Sequence, residues 1–516
     1  MFVKVISGAV LGVDGYKVDV EVDLASGLPT FDIVGLPDSA VKESRERIRA
    51  AIRNAGFTFP IKRITVNLAP ADIRKSGPSF DLPMAVGILM CMGIIKPTDA
   101  EGAFFAGELS LDGVIRPVNG ILPMVMAARA AGMQAVFVSA ENAAEAALVG
   151  GVTVYPVESI TALAAHFFDA VENSPKAIVP LKVDAARFFQ GESNTYDVDF
   201  ADVAGQTHVK RALTIAAAGY HNALMIGPPG AGKTMLARRM PTILPDLSLD
   251  ESMEITKIYS IAGLLNQKNL LMTQRPFRTP HHTASYVSLT GGGRVPMPGE
   301  ISLAHNGVLF LDELPEFQKK ALETLRQPLE DGHITITRAN GVSTYPSVFL
   351  LLAAMNPCPC GYMGTKKCTC TEAEIARYLS KISGPLLDRI DIQVEATPVE
   401  YNDLSTSHKP SEDSATIKAR VENARARQEK RFEAESSKIR FNAKMPASLV
   451  KKYCKLNREA QELLKNVFDN MGLSARAYHK ILKIARTIAD LQDMPDISPQ
   501  HIAEAISYRG LDRKYW

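Results

Sequence analysis

The sequence predicts an α/β protein of several domains, with a parallel-sheet core between an N-terminal α+β region and a C-terminal helical region. Short apolar strands alternate with helical segments between residues 200 and 395, as a parallel sheet requires. Strands and helices are mixed before this stretch, and the pattern after it is helical as far as Trp516. The 516 residues are too many for one hydrophobic core, so two to four domains are expected.

The composition is that of an ordinary soluble globular protein, with 46% hydrophobic and 22% charged residues. The formal net charge is only +2, so any nucleic-acid contact must depend on individually placed residues. The longest apolar stretch, Met84–Ile95, is shorter than the roughly 18 residues that span a bilayer. The N-terminus lacks the features of a signal peptide. We therefore expect a cytoplasmic protein with no membrane partner.

Residues 1–170 are predicted to form one mixed α+β domain. Alternating apolar and polar residues predict strands at Lys4–Ser7, Val18–Val22 and Phe31–Val34. Apolar residues that recur every three or four positions predict a helix over Asp38–Asn54. Strands and helices are therefore interspersed in this part of the chain.

Two polar segments are expected to connect the domains. Residues 171–197 contain two prolines and form the predicted linker, and residues 396–413 form a second connector. Residues 198–395 between them are the predicted α/β core. Residues 414–516 are predicted to form a helical domain, in which Ser474–Gln492 carries an apolar stripe at helical spacing.

The segment Gly227–Thr234 has the pattern G-x-x-x-x-G-K-[ST] and lies between an apolar strand at 224–226 and a helix. Its glycines let backbone N–H groups surround phosphate oxygens, and the helix N-terminus adds a favourable dipole. Lys233 would contact the β- and γ-phosphates, and the Thr234 hydroxyl would bind Mg²⁺. The strand–loop–helix context argues against a chance glycine-rich turn. The residues expected to contact ATP are Gly227, Pro228, Pro229, Gly230, Ala231, Gly232, Lys233 and Thr234.

A second motif follows about 80 residues after the P-loop. Val308–Leu311 is an apolar strand that ends in Asp312 and Glu313. Asp312 would bind Mg²⁺ together with Thr234, and Glu313 would orient or deprotonate the attacking water. An apolar strand ending in Asp-Glu is common by itself, but after a P-loop it predicts an ATPase.

Two further residues could complete the hydrolytic site. Asn356 ends the apolar strand Leu351–Met355 and could polarise water near the γ-phosphate, the alternative being a loop cap. Arg389 precedes a strand that is predicted to start at Ile390, and could act as an arginine finger in a neighbour's site. The alternative for Arg389 is a salt bridge to Asp388 or Asp391.

The P-loop, Asp312–Glu313, Asn356 and Arg389 together resemble the magnesium-chelatase-like branch of the AAA+ ATPases, which is related to the MCM helicases. The resemblance implies an AAA+ P-loop core with a parallel sheet, which uses ATP and Mg²⁺. It implies that Asn356 is sensor 1, that Arg389 is a trans-acting arginine finger, and that Arg476 is sensor 2 on a helical lid. It also implies that Asp202–Gln206 packs near the adenine.

The N-terminal region resembles a different family. Gly77–Pro83 and Gly107–Ser110 are similar to the protease domain of Lon, which has a ribosomal-S5-like fold. Lon-like proteases use a Ser–Lys dyad, and Ser79 falls at the serine position while Leu122 falls at the lysine position. A serine without its base is a poor nucleophile, so we expect Ser79 to be a relic of the fold and not a catalyst.

A Lon-like domain, a chelatase-like core and a lid together resemble the ComM/YifB family over nearly the whole chain. That family is associated with natural transformation and includes a hexameric helicase. The resemblance implies an ATP-dependent hexameric DNA motor, a helicase that promotes branch migration during homologous recombination and natural transformation. A ring is also expected because a trans-acting Arg389 needs a neighbouring copy. Two alternatives are a chelatase-like remodeller of a protein partner and, disfavoured by Leu122, an ATP-dependent protease.

Two arginines are candidate contacts to single-stranded or branched DNA. Arg294 follows three glycines in an insertion that, in the chelatase-like branch, faces the pore of the ring. His281 and His282 of the same stretch could contact phosphate or belong to a loop over the nucleotide. The hairpin predicted at Gly332–Tyr345 has an Asn-Gly turn and places Arg338 near its tip. The alternative for Arg338 is a solvated side chain.

Four of the six cysteines lie close together, at Cys358, Cys360, Cys368 and Cys370. Four thiolates with this spacing can form a tetrahedral site, and Zn²⁺ suits all-sulfur ligation. The spacing C-x-C-x₇-C-x-C is not that of a standard zinc finger, so free thiols are the alternative. A structural zinc loop over 358–370 would lie directly behind Asn356 and could brace the loop that leads to Arg389.

Overall fold

The computed structural model describes residues 1–169, 177–191, 196–266, 270–293, 296–338, 341–398, 412–435, 439–471, 474–511 and 515. Arg294 lies outside the described residues, as does most of the connector 396–413. Within the ranges just given, no helix is long and apolar enough to cross a membrane.

The N-terminal region folds around a mixed seven-stranded sheet in the order β3-β4-β2-β1-β5-β8-β9. The strands of this region are β1 (Phe2–Leu11), β2 (Asp14–Ala25), β3 (Phe31–Val34), β4 (Arg63–Ala69), β5 (Ala103–Ala106), β6 (Glu108–Leu109), β7 (Ile115–Arg116), β8 (Ala135–Ser139) and β9 (Thr153–Val157), of which β6 and β7 pair with each other in a separate two-stranded sheet. Its helices are α1 (Ser39–Asn54), α2 (Asp81–Cys91), α3 (Ile121–Ala130), α4 (Ala140–Ala147) and α5 (Ile160–Asp169), with 3₁₀ turns at Pro78–Phe80 and Pro97–Ala100. The predicted strands and the first helix are confirmed, and the α+β character follows from antiparallel β1–β2–β4 and parallel β5–β8–β9 pairing.

The central region contains a five-stranded sheet in the order β11-β14-β17-β10-β18, and every pair in it is parallel. The elements of this region are α7 (Thr207–Gly219), β10 (Ala223–Ile226), α8 (Lys233–Arg238), α9 (Met240–Ile243), α10 (Leu249–Ile261), β11 (Phe277–Arg278), α11 (Tyr286–Thr290), β12 (Gly291–Gly292), β13 (Met297–Pro298), α12 (Glu300–Leu303), β14 (Val308–Leu311), α13 (Lys319–Glu323), α14 (Arg326–Asp331), β15 (His333–Arg338), β16 (Gly341–Pro346), β17 (Leu350–Met355), α15 (Glu372–Leu379), α16 (Gly384–Leu387) and β18 (Ile392–Glu395). Short 3₁₀ turns lie at Phe200–Asp202 and Leu314–Glu316. Strands β10, β14 and β17 are buried along their whole length, which explains their purely apolar sequences. The predicted parallel α/β core is confirmed.

One strand of this sheet begins later than the sequence indicates. The prediction started it at Ile390, whereas β18 begins at Ile392. Ile390 still belongs to the turn after α16, since its N–H donates to the Leu387 carbonyl. The N–H groups of Asp391 and Ile392 both donate to the Asn222 carbonyl. An apolar residue at a buried turn has the same sequence signature as one in a buried strand.

The C-terminal region is helical, as predicted. Its helices are α17 (Ser414–Phe432), α18 (Ala447–Tyr453), α19 (Arg458–Met471), α20 (Ala475–Leu491) and α21 (Pro499–Ser507), with a 3₁₀ turn at Asn442–Lys444. Apolar residues of α17 and α20 join one core cluster with those of α7 and β10. The helical region is therefore packed on the sheet of the central region and shares its core.

The predicted linker contains structure where it is described. Leu181 pairs with Val154 of β9, and residues Ala185–Gly191 form α6. Val183 and Phe189 pack against the apolar cluster between α3 and α4. A few apolar side chains in an otherwise polar segment are thus enough to hold this part of it against the N-terminal region.

The N-terminal and central regions are in direct contact. The Gly120 N–H donates to the Ser260 carbonyl at 3.0 Å, and the Ser260 hydroxyl donates to Glu145 at 2.5 Å. A Cβ on Gly12 would lie 2.7 Å from the Thr344 carbonyl oxygen of β16. A cavity of about 390 Å³ lies at this boundary, lined by Ser79 from one side and by Tyr345 from the other.

Candidate nucleotide site

The loop that follows β10 is fixed by its glycines. The Gly227 N–H donates to the Met355 carbonyl at 3.2 Å, and a Cβ on Gly227 would lie 2.2 Å from the Ala396 carbonyl oxygen. Gly230 and Gly232 adopt φ values of 77° and 79°, which favour glycine. The chain therefore makes the compact turn of a phosphate-binding loop, with the N-terminus of α8 directly after it.

The side chain of Lys233 reaches back across this loop. Its Nζ donates to the carbonyls of Gly227 at 2.7 Å and Pro228 at 2.9 Å, and to Oδ1 of Asn356 at 3.1 Å. Burial lowers the pKa of Lys233, and the charges of the two nearby carboxylates oppose that shift. The structure thus brings Lys233 and Asn356 together from the carboxyl ends of neighbouring strands β10 and β17.

Thr234 and Asp312 present two oxygen atoms side by side. The Thr234 hydroxyl donates to Oδ2 of Asp312 at 2.6 Å, and Oδ1 of Asp312 accepts the Glu313 N–H at 3.0 Å. A hydroxyl and a carboxylate at one point fit Mg²⁺, which binds proteins through few ligands and keeps phosphate and water for the rest. Glu313 has φ of 52°, a strained value for a non-glycine residue of the kind that clusters at functional sites.

His282 contacts Glu313, a partner that the sequence did not predict. Nδ1 of His282 lies 3.2 Å from Oε2 of Glu313, whereas Nδ1 of His281 contacts Oγ1 of Thr283 at 2.8 Å. The ring centroids of His281 and His282 lie 4.1 Å apart. For His282, this favours the alternative of a loop folded over the nucleotide site. The glycine- and proline-rich composition of the stretch signalled a functional loop, but not its contact with Glu313.

The segment before α7 contacts the P-loop, while its expected position near the adenine stays a prediction. Nε2 of Gln206 donates to the Ala231 carbonyl at 3.2 Å and also to the Thr397 carbonyl. Asp202 pairs with Arg239 at the end of α8, at 2.9 Å. This segment therefore borders the nucleotide site on the side of β18.

The two predicted arginines lie at the opposite edge of the sheet. Lys233, Asp312 and Asn356 follow the carboxyl ends of parallel strands, whereas Arg389 precedes β18 and its carbonyl accepts from Nδ2 of Asn222, the residue before β10. The four residues of β10 separate these edges by about 13 Å. Arg389 therefore lies at least a strand length from the P-loop of its own chain.

Arg389 and Arg476 share an acidic neighbourhood at that edge. Arg389 forms an ion pair with Glu330 and donates to the Pro385 carbonyl at 2.5 Å. Arg476 lies 3.7 Å from Asp388 and is 68% exposed. The alternative partners proposed for Arg389 were Asp388 and Asp391, and the observed partner is neither.

The hairpin predicted after the Asp-Glu motif is present. Strands β15 and β16 are antiparallel, and Arg338 at the end of β15 pairs with Gly341 next to the turn. At its base, the buried Tyr345 donates its hydroxyl to the Pro296 carbonyl at 2.7 Å. The hairpin and the glycine-rich insertion are therefore in contact with each other, and both border the inter-region cavity.

The Lon-like motif surrounds a serine with no lysine at the position of the dyad. Ser79 is buried in the 3₁₀ turn before α2, and Leu122 is fully buried in an apolar cluster. Asp81 of the same motif is buried and held by Arg47 at 2.7 Å and by Ser44. The residues of this motif therefore belong to the packed core of the N-terminal region, and Ser79 lines the cavity between the N-terminal and central regions.

The four clustered cysteines meet in space. Their sulfur atoms all lie within 4.8 Å of one another, in the loop between β17 and α15. The predicted set Cys358, Cys360, Cys368 and Cys370 is thus brought together.

Comparison with known proteins covers most of the chain. Residues 20–142 match the family described as subunit ChlI of Mg-chelatase, residues 199–404 the family magnesium chelatase, subunit ChlI, and residues 411–509 its C-terminal part. Competence protein ComM of Haemophilus influenzae is 44% identical over 99% of this chain and 97% of its own length. The YifB protein of Salmonella typhimurium is 43% identical over 98% and 96%.

The chain belongs to the ComM/YifB family. Membership of this magnesium-chelatase-like AAA+ family implies the use of ATP and Mg²⁺, in agreement with the geometry around Lys233, Thr234 and Asp312. Lon protease 2 of Bacillus subtilis is 34% identical over 104 residues, which are 20% of this chain and 18% of that protein. The ComM/YifB chain therefore also shares a stretch with a Lon protease.

Proposed function

We propose that this protein is an ATPase that uses hydrolysis to move along DNA, as a hexameric helicase that promotes branch migration during homologous recombination and natural transformation. The observation that carries the proposal is the distribution of charged groups over the two edges of one parallel sheet. One edge holds the groups for binding and cleaving ATP, and the other holds Arg389, which is paired with Glu330 and 12% exposed, and the exposed Arg476. The likeness to a competence protein supports the biological setting.

Each group at the carboxyl edge has a role in this proposal. The P-loop and Lys233 bind the phosphates, and Thr234 with Asp312 holds Mg²⁺. Glu313 orients or deprotonates the attacking water, and Asn356 polarises it. The hydrogen bonds from Lys233 to Asn356 and from Thr234 to Asp312 support this assignment, because Lys233 and Thr234 are adjacent in the P-loop.

The amino edge supports the ring. Arg389 lies too far from its own P-loop to compensate charge there, so it would act as a finger in the site of a neighbouring copy. Arg476 lies beside Asp388 at the same edge and would enter the same neighbouring site. In a closed ring, the amino edge of each copy would meet the carboxyl edge of the next copy, so that every nucleotide site receives the two arginines of a neighbour.

DNA would be contacted by the β15–β16 hairpin and the insertion with Arg294. Arg338 next to the turn would contact phosphate, which is a sequence-independent and salt-sensitive interaction suited to a translocating motor. The contact between Tyr345 and Pro296 supports a joint movement of hairpin and insertion. His282 of the insertion touches Glu313, which gives a direct route from the DNA-contacting loops to the hydrolytic site.

The first test measures ATP hydrolysis with and without single-stranded and four-way-junction DNA. We expect DNA to stimulate the wild type, and Arg338→Ala to weaken DNA binding and reduce its salt slope by about one. Arg458→Ala is the matched control. It removes the same charge at a residue that is 92% exposed on α19, away from the hairpin. If DNA neither binds the protein nor stimulates its ATP hydrolysis, the proposal of a DNA motor is refuted and the alternative of a chelatase-like remodeller is favoured. ATP-dependent proteolysis lost on Ser79→Ala would instead support the protease.

A further inference from the structure

The loop between β17 and α15 brings its four thiols within 4.8 Å of one another. The sulfur–sulfur distances are 3.4 Å for Cys358–Cys360, 3.9 Å for Cys358–Cys368 and 3.7 Å for Cys360–Cys368. Four thiolates around Zn²⁺, each about 2.3 Å from the metal, lie about 3.8 Å apart. The loop is therefore already at the size that a zinc ion needs.

The chemistry of the loop selects zinc. Its four candidate ligands are all sulfur, which favours Zn²⁺ over the oxygen-seeking Mg²⁺ and Ca²⁺. All four thiols are free, and their separations far exceed the roughly 2.05 Å of a disulfide bond. The Cys360 N–H donates to the Cys370 sulfur at 3.4 Å, and the exposed Lys366 and Lys367 lie between the two cysteine pairs. Both features offset the charge of four thiolates.

One side of the loop touches the nucleotide site. Cys358 is fully buried and only two residues beyond Asn356, whose side chain accepts from Lys233. Gly361 has φ of 85°, and a Cβ there would lie 2.5 Å from Cδ of Pro229 in the P-loop. The cysteine loop thus packs directly against the P-loop and holds the residue proposed to polarise water.

The other side of the loop anchors the next helix. Thr371 follows Cys370 and caps α15 through a reciprocal hydrogen-bond pair with Glu374. Tyr378 of this helix is buried, and its hydroxyl receives the backbone N–H of Asn356. The loop is therefore tied to Asn356 both through the chain and through α15.

We propose that residues 358–370 hold one Zn²⁺ through four thiolates, and that the bound ion positions Asn356 and Pro229 for ATP hydrolysis. Each thiol loses its proton when it binds the metal. The positioning role rests on the proposed ATPase activity, whereas the metal site does not. Neither Asn356 nor Pro229 is a ligand, so the zinc acts on hydrolysis only through the shape of the loop.

The metal site is tested by elemental analysis of the full chain purified without added metal. We expect about one zinc per chain, and visible bands of tetrahedral thiolate Co²⁺ after cobalt exchange. The double variant Cys368→Ser and Cys370→Ser should contain no zinc, while Cys91→Ala and Cys454→Ala, which are buried elsewhere, should keep it. A wild type that carries no zinc and gives no cobalt bands would overturn the site.

The positioning role is tested on wild-type protein stripped of zinc with a chelator and then reloaded. We expect stripping to lower kcat for ATP without DNA by about tenfold or more, with a smaller change in affinity for a fluorescent ATP analogue, and reloading to restore it. Turnover that is equal in stripped and loaded protein would overturn this role. A loaded protein that hydrolyses no ATP would refute the proposed function and the positioning role together, while the zinc count would stand.

Two glycines of the loop give a matched pair of variants that keep every cysteine. Gly361→Ala places a methyl group against Pro229, whereas Gly364→Ala meets nothing within 4 Å and has a similar φ of 81°. Both variants should bind zinc, and only Gly361→Ala should weaken ATP binding and hydrolysis. Equal behaviour of the two would show that the contact with Pro229 has no role.

Discussion

At the scale of single residues, the distinctive feature is how Glu313 is held. It follows Asp312 in a left-handed backbone conformation, and Asp312 accepts its N–H. Its side chain contacts His282, which belongs to a separate insertion. Glu313, the proposed general base, thus combines a strained backbone with a side-chain partner on the insertion proposed to contact DNA, so a small shift of His282 would change its position.

Replacing the proposed base should separate binding from turnover. We expect Glu313→Gln to bind ATP with nearly unchanged affinity. It should hydrolyse ATP at least roughly 100-fold more slowly than the wild type, because the amide cannot take a proton. Steady-state turnover and equilibrium binding of a fluorescent ATP analogue check this. Glu316→Gln, three residues further along, is the control. Robust turnover in Glu313→Gln would remove this residue from its role.

The two adjacent histidines allow the contact to Glu313 to be isolated. His282→Ala should reduce kcat about five- to tenfold, which corresponds to one hydrogen bond, and should leave ATP affinity in place. His281→Ala removes the neighbouring ring, whose Nδ1 contacts Thr283 in its own loop, and should have little effect. Equal losses in both variants would mean that the loop as a whole matters and the contact with Glu313 does not.

At the scale of elements, the sheet separates two sets of groups that the sequence interleaves. Asp312, Asn356 and Arg389 follow one another along the chain, yet the first two lie at the carboxyl edge and Arg389 at the amino edge. The separation follows because all five strands are parallel and Arg389 precedes its strand while the others follow theirs. Whether a residue precedes or follows its strand, and not its distance along the chain, therefore decides at which edge of the sheet it lies.

A buried carboxyl group joins helices of the N-terminal and central regions. Glu145 of α4 accepts from the Leu122 N–H of α3 at 3.1 Å and from the Ser260 hydroxyl of α10 at 2.5 Å. Burial raises the pKa of Glu145 from its ordinary value near 4.5 to about 7, and the hydrogen bonds to Ser260, Leu122 and Asn142 oppose that rise only in part. The contact between the two regions is therefore sensitive to pH near neutrality.

The sign of this effect can be tested on stability. A raised pKa means that the folded protein binds this proton more tightly than the unfolded chain, so the stabilisation is full below pH 4.5 and is lost as pH rises through 7. Relative to Glu145→Gln, the wild type should lose roughly 2 kcal/mol of unfolding free energy between pH 5.5 and 8. Denaturant titrations at both pH values check this, with Glu141→Gln on the same helix as control. A parallel pH dependence in wild type and Glu145→Gln would contradict it.

At the scale of the whole molecule, the proposed function divides the nucleotide site between two neighbouring copies of the chain. The helical region packs on the sheet and carries Arg476 to the edge that holds Arg389. The Lon-like region packs against α10 and β16, so it borders the proposed DNA hairpin. In that proposal, a second copy of the chain brings the charge of Arg389 to the P-loop.

Mixing two inactive variants tests this arrangement. Lys233→Ala loses phosphate binding and Arg389→Ala loses the proposed finger, so each alone should hydrolyse ATP poorly. In a mixed ring, an intact Lys233 site meets an intact Arg389 of the neighbour, and part of the activity should return. Steady-state hydrolysis as a function of mixing ratio measures this. Mixtures that never exceed the sum of the two variants would place Arg389 outside the neighbour's site.

Much of the site could be predicted because its motifs are local. The P-loop from Gly227 to Thr234 and the Asp312–Glu313 pair each lie at a strand end whose apolar sequence is easily recognised. The contacts of Arg389 with Glu330 and of His282 with Glu313 could not be predicted, because they join segments with no shared pattern. The late start of β18 was missed because a buried turn and a buried strand are equally apolar.

The sequence by itself determined the class of the core, the position of the P-loop motif between β10 and α8, and the grouping of four cysteines, since each depends on residue type and short spacing. Only the tertiary structure decided that Arg389 and Arg476 lie away from their own P-loop, that Gly361 packs on Pro229, and that Glu145 joins two regions. Those positions depend on which sheet edges and helix faces meet in space. The residues involved are far apart along the chain, so no local sequence pattern can predict their contacts.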